Sequence, residues 1–171
     1  QVLALLLDIK ARKSEGPHLI VIPASLIGNW ISEIERFSPG LKWFLAHPSA
    51  SNGDETPVID PLMIKGFDVV ITTYGNLLRY GWLSDIFWGL VVLDEAQAIK
   101  NPLAKQAKAV KALKSRHRLA LTGTPVENRL SDLWSLFDFI CPGLLGSSVA
   151  FSRYAKGLTI GDSPSSYGPV R

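Results

Sequence analysis

WGLVVLDEAQAIKNP, residues 88–102, drives an apolar run straight into two adjacent carboxylates, Asp94 and Glu95. Leu90, Val91, Val92 and Leu93 are apolar in succession. A strand with one face in water alternates apolar and polar residues; an unbroken run marks a strand covered on both faces. Three further stretches share that character: HLIVIP at 18–23, KWFLAH at 42–47 and FDVVITTY at 67–74. A fifth, HRLALTGTP at 117–125, is stopped by Gly123 and Pro125. Strands of this kind, separated by helical segments, predict an α/β fold: a mostly parallel sheet with helices on both faces.

The intervening segments carry helical spacing. Residues 2–13 end in a basic turn, Lys10, Arg12 and Lys13, which suits a helix C-terminus. Leu26, Trp30, Ile34 and Phe37 recur on one helical face, widened by Ile27 and Ile31, with Ser25 placed to cap it. On this spacing Trp30 is a core residue. Residues 61–65 form a short helix, and 75–87 are helical in part. Residues 103–114 put Leu103, Ala107, Val110 and Leu113 on the inner face of a basic helix, and 130–140 form an amphipathic helix closed by Pro142-Gly143. Residues 48–57 read as a polar loop, and the Gly-, Ser- and Pro-rich stretch 157–171 as loosely ordered.

The chain has 171 residues, 47% of them hydrophobic and 19% charged, enough for one core and not for two large domains. Five Trp and seven Phe argue against a disordered chain. A single cysteine, Cys141, allows no internal disulfide and favours an intracellular setting, cytoplasmic in a prokaryote or nuclear in a eukaryote. No apolar run approaches the roughly 20 residues of a membrane span, and QVLALLL at the start reads as a helix, so no membrane partner is expected. The three His residues show no metal-ligand spacing. Net charge is +3, but residues 100–118 hold seven Lys and Arg and no acid. That segment is either a solvated helix face or a phosphate-contacting surface.

In open parallel sheets ligands bind at the carboxyl ends of the strands. Those ends carry Pro23-Ala24-Ser25, then Thr72, Thr73 and Tyr74, then Asp94 and Glu95, then Thr122, Gly123 and Thr124. Two acids after an apolar run also arise simply because strands end at solvent. A following strand that ends in Thr-Gly-Thr-Pro sets hydroxyls and backbone N–H groups beside the acids. Together these suit a site where magnesium is held and water activated for nucleotide hydrolysis. A glycine-rich loop of the form GxxxxGK[ST], the usual phosphate cradle, does not occur in the sequence.

The motifs in order resemble the first RecA-like lobe of a Swi/Snf-type ATPase, a branch of the superfamily-two helicase-like translocases. LIVIPASLIGNWISEIERFSP (19–39) resembles motif Ia of that family, and DVVITTYGNLLR (68–79) motif Ib. VVLDEAQAIKNP (91–102) resembles motif II, and LALTGTPVENRLSDLWSLFDFICPGLLG (119–146) motif III with its extension. FSRYAKGL (151–158) resembles the tail leading toward the second lobe. The Ile-Lys-Asn and Leu-Trp-Ser-Leu extensions speak against a restriction-enzyme motor or an RNA helicase. The resemblance implies that residues 1–146 are a partial first lobe lacking its first strand and phosphate loop, and that 147–171 are a loosely ordered extension toward an absent second lobe.

The resemblance implies a DNA-dependent ATPase that tracks on double-stranded DNA, with ATP and Mg2+ as cofactors. Nucleosomes, RNA polymerase and other proteins are the candidate partners. It implies that Asp94 holds Mg2+ largely through water, that Glu95 activates the attacking water, and that Gln97, Thr122, Gly123 and Thr124 couple the nucleotide to lobe movement. It implies strand-phosphate contacts by Ser25, Asn29, Thr72, Thr73 and Tyr74, with Lys100 and Asn101 alongside. Gln97 stands where the family usually has His; an amide still donates and accepts but carries no proton charge. Without the phosphate loop, the chain by itself is expected to be an inactive fragment, a nucleic-acid or protein binding module at most. The strand 118–122 is expected to present an unpaired edge.

Overall fold

The computed structural model describes residues 1–12, 16–48, 61–123 and 130–160. Five strands form one sheet: β1 (His18–Ile22), β2 (Trp43–Ala46), β3 (Val69–Thr73), β4 (Phe87–Leu93) and β5 (Lys114–Ala120). Their order across the sheet is β2-β3-β1-β4-β5, and every pairing is parallel. Among the described residues β5 has β4 on one side and no strand on the other. Along the expected stretch 118–122 no strand pairs on that side among the described residues, and the residues themselves are half-buried.

The apolar runs become buried strands because both faces of the sheet are covered. All five residues of β1 and all five of β3 are buried. Alternation then divides them between two cores. Leu19, Val21, Val70, Val91 and Leu93 point to one side, where they meet the short helix α4 (Trp82–Asp85), α5 (Lys105–Ala112) and α6 (Leu130–Ile140). Ile20, Ile22, Ile71, Leu90 and Val92 point to the other, under α1 (Val2–Ala11) and α2 (Ile27–Phe37). The one-turn helix α3 (Pro61–Ile64) precedes β3, and α7 (Ser148–Ile160) follows α6.

One carboxylate ties the C-terminal end of α1 to the N-terminal ends of β2 and β3. Asp68 Oδ2 accepts from Lys10 Nζ at 2.6 Å and from the Lys42 backbone N–H at 2.7 Å. Lys10 also donates to Gly40 O at 2.7 Å, so α1 is fastened to the entry of both β2 and β3. Burial alone would raise the Asp68 carboxyl, but the hydrogen bonds and charges of Lys10 and Lys42 outweigh it and hold it below its ordinary value.

Several expectations are corrected here. Residues 148–160 form a 13-residue α-helix, packed against α6, where a loosely ordered extension was expected. Gly157 does not end that helix; residues 161–171 lie outside the described set. Ser25 caps nothing: a 3-10 turn, Ala24–Leu26, precedes α2, and no side chain caps either element. Phe37 is 54% exposed, with the Arg36 guanidinium 4.9 Å from its ring, because α2 turns its last residue out past the sheet. Leu103 is 76% exposed because α5 starts only at Lys105, which leaves Ala107, Val110 and Leu113 as the buried stripe.

Two cations of the basic segment are structural. Lys111 Nζ lies 2.8 Å from Asp138 Oδ2 on α6 and 4.6 Å from the centre of the Trp134 ring. Arg118 gives its guanidinium N–H groups to Ser115 Oγ, Phe139 O and Leu113 O at 3.1, 3.0 and 2.8 Å, and stacks 5.2 Å from the Phe139 ring. These two cations hold α5, β5 and α6 together rather than facing a phosphate surface. Lys105, Lys108 and Lys114 are exposed.

Candidate functional site

β4 delivers Asp94 at its carboxyl end, beside the ends of β1 and β5. The Asp94 backbone N–H donates to Val21 O at 2.9 Å, and the Leu121 N–H to Leu93 O at 2.8 Å. Just beyond, the Ala96 N–H donates to Leu121 O at 2.9 Å, which brings the turn after β4 against the end of β5. Glu95, between them, has φ 49° and ψ 53°. It has the left-handed backbone, which costs a side-chain-bearing residue about 1–2 kcal/mol. Such conformations persist where surrounding contacts over-determine them and concentrate at functional sites.

Asp94 is held at every polar atom. Its Oδ1 accepts from the Glu95 backbone N–H at 2.9 Å, and its Oδ2 from Trp30 Nε1 at 2.8 Å. Its carbonyl accepts from the Tyr74 hydroxyl at 2.7 Å. Burial first, then the charges of Asp94 and Glu95, push the Tyr74 phenol well above its ordinary value, so it stays a donor. Glu95 Oε2 accepts a short hydrogen bond from Gln97 Nε2, and Gln97 Oε1 accepts from Thr122 Oγ1 at 2.9 Å. A continuous relay therefore runs from the end of β5 through the Gln97 amide to the second carboxylate. Gln97 bridges the two because an amide offers a donor and an acceptor at once.

Asp94 opens onto a cavity of about 410 Å³ lined also by Gln1, Asn29, Trp30 and Leu121. Among the described residues no group of three or more His, Cys, Asp or Glu could hold a metal by itself. Asp94, with Glu33 also on the wall of a roomy and largely apolar opening, instead fits Mg2+, a hard ion that keeps several waters and takes one or two carboxylates together with phosphate oxygens.

The expected residues thus divide. Asp94, Glu95, Gln97 and Thr122 converge, with Gly123 exposed at the end of β5. Thr124 lies outside the described residues. Ser25 and Asn29 are exposed on the turn and first part of α2, and Lys100 and Asn101 are exposed after the 3-10 turn Ala96–Ile99. Asn101 Oδ1 accepts from the Leu103 N–H at 3.0 Å, shaping that loop. Thr72, Thr73 and Tyr74 are buried, which removes their side chains as direct contacts to a strand on the surface. Thr72 Oγ1 donates to Ala46 O at 3.0 Å, and Thr73 Oγ1 accepts from the Asn76 N–H at 3.3 Å. They brace the sheet end that carries the site. Trp30, read from spacing as core, does pack against the core under α1 and α2, but it is only half-buried and its indole N–H is aimed at Asp94; nothing in a helical repeat reports where an indole N–H points.

Comparison with known proteins places this geometry. The family model described as the SNF2-related domain matches residues 1–159. A putative ATP-dependent helicase/translocase, YwqA of Bacillus subtilis, is 41% identical over 156 residues, which is 90% of this chain and 16% of that protein. The TATA-binding protein-associated factor mot1 of Schizosaccharomyces pombe is 44% identical over 141 residues, 80% of this chain and 7% of that protein. The chain therefore spans a small part of these relatives' length. The Sulfolobus solfataricus SWI2/SNF2 ATPase core in complex with dsDNA superposes with a TM-score of 0.84 at 40% identity, covering 96% of this chain and 34% of that one. With the motifs, the all-parallel sheet and these relatives in agreement, the chain belongs to the SNF2-related domain family and has the RecA-like fold of a Swi2/Snf2 ATPase core.

Proposed function

We propose that this domain carries the magnesium- and water-handling half of an ATP hydrolysis site in a motor that tracks on double-stranded DNA. The observation that supports it most is the relay Thr122–Gln97–Glu95 beside the tethered Asp94. An ordinary strand end would send its acids to solvent. Here one carboxylate faces a cavity and the other is joined to the neighbouring strand by an amide set to move with it.

In this reading Asp94 would be the residue that holds Mg2+. Glu95 orients the attacking water and accepts its proton, a role general bases fill for about 10²–10⁴-fold in rate. Bound ATP and Mg2+ supply the phosphoryl group and the charge neutralisation on which phosphoryl transfer depends. Gln97 and Thr122 connect Glu95 to the end of β5, and Gly123 and Thr124, next in sequence, share the proposed role of coupling the nucleotide to lobe movement. Exposed Ser25, Asn29, Lys100 and Asn101 contact strand phosphates, which position a strand without reading its sequence. Thr72, Thr73 and Tyr74 act behind them as braces. Nucleosomes, RNA polymerase or other proteins are the partners such a motor would engage. Among the described residues no helix is long and apolar enough to cross a membrane.

The test is hydrolysis of ATP by the full-length protein with and without duplex DNA. The reading expects stimulation by any duplex, and a DNA affinity that falls with rising salt, the mark of phosphate contacts. A strong preference for one sequence, or hydrolysis indifferent to DNA, would contradict it.

A further inference from the structure

We propose that Trp30 is a positioning residue for Asp94: its indole N–H fixes the carboxylate that faces the metal without ligating the metal itself. This rests on the reading of Asp94 as the Mg2+ carboxylate. The Trp30 Nε1–Asp94 Oδ2 distance is 2.8 Å, a charge-assisted hydrogen bond from α2 to the end of β4 across 64 residues of sequence. With Oδ1 bound to the Glu95 N–H and the carbonyl bound to Tyr74, the Trp30 bond is the one that sets the rotation of the outer oxygen.

The chemistry suits that task. An indole is a donor only, so it competes with Asp94 for neither the metal nor the metal-bound water. A carboxylate oxygen has room for more than one hydrogen bond, so Oδ2 can keep the indole and still accept from a coordinated water. Trp30 lines the same cavity as Asp94 and is only half-buried, so its N–H is committed at the mouth of the site and not deep in the core. A ring placed for packing alone would be served by any nearby backbone carbonyl. The bond also joins the nucleotide side of the domain to α2, the helix whose exposed Asn29 precedes Trp30. Groups that orient metal ligands in this way are typically worth about 10–100-fold in metal affinity or activity.

The test uses full-length protein with Trp30→Phe, which keeps an aromatic ring and removes the N–H. Mg2+ is titrated at saturating ATP and DNA, and Mn2+ binding in the presence of ADP is followed by electron paramagnetic resonance. The expected result is a half-activating Mg2+ concentration and a Mn2+ dissociation constant both raised about tenfold, with kcat recovered at saturating metal. If Trp30→Phe fails to fold, β-(3-benzothienyl)alanine at position 30 replaces the N–H by sulfur and keeps the ring shape. Unchanged Mn2+ affinity in whichever of the two folds would overturn the proposal. Asp94→Asn separates the two readings: it should lose rate that added metal does not restore. If Asp94→Asn keeps both rate and metal dependence, the assignment of Asp94 fails whatever Trp30 does.

Discussion

The end of β4 and the basic segment from Lys105 to Arg118 both concentrate charge in a short stretch, and they use it in opposite ways. At the end of β4 the charges stay available. Asp94 is pinned by neutral donors, Trp30, Tyr74 and the Glu95 N–H, and still opens onto a cavity. Glu95 is held by an amide. In the basic segment the half-buried cations are spent on the protein itself, Lys111 on Asp138 and Trp134, Arg118 on three oxygens and Phe139. A carboxylate neutralised by a salt bridge has little left for a metal. One held by dipoles keeps its charge and loses only its freedom to rotate. The lesson is that a charge becomes a functional group through the neutrality of its partners, not through its density in the sequence.

The sharpest way to break this contrast is through the structural side. Phe139 is fully buried and carries the Arg118 guanidinium. Phe139→Ala should lower stability by about 3–5 kcal/mol in a denaturant titration. Next, Lys111→Met should cost about 1–2 kcal/mol, between the values for exposed and buried pairs, since its partner Asp138 is left half-buried and unpaired. Exposed Lys108, one turn earlier on the same helix, should be replaceable by Met within about 0.5 kcal/mol. Equal costs at 108 and 111 would erase the distinction between spent and unspent cations.

An effect smaller than that of Lys111 lies at Asp68. Its folded carboxyl sits below the ordinary value, so its contribution is present above the unfolded value near 3.9 and is lost as pH falls through the folded one. Asp68→Asn should cost about 1 kcal/mol at pH 7, the range expected for a partly exposed charged hydrogen bond. The gap between variant and parent should narrow as pH falls below the unfolded value near 3.9; a gap that persisted unchanged into acid would mean that Asp68 acts by packing.

Much of this was readable beforehand, for a physical reason. Strands covered on both faces leave unbroken apolar runs, so β1, β3 and β4 stood out, and with them the parallel sheet and the rule that puts ligands at its carboxyl ends. β5 was placed about three residues late, because Lys114, Ser115 and Arg116 look like a loop and an edge strand tolerates such residues. Helix α7 was missed because glycine was weighed against it, while packing on α6 supplies what propensity lacks. Within the site, identity was legible and direction was not. Thr72, Thr73 and Tyr74 occupy the expected strand end, but alternation and local turns point them inward. Trp30 has the spacing of a core residue and the orientation of a site residue.

The central claim is that Glu95 activates water while DNA contacts lie elsewhere on the domain. Its most direct test is Glu95→Gln in the full-length protein, with DNA-stimulated ATP hydrolysis and duplex DNA affinity measured side by side. The account predicts that hydrolysis falls by about 10²–10⁴-fold and that DNA affinity stays within about twofold. Hydrolysis near the parent rate would contradict the assignment. Loss of DNA binding along with hydrolysis would show that Glu95 instead holds the end of β4 in shape.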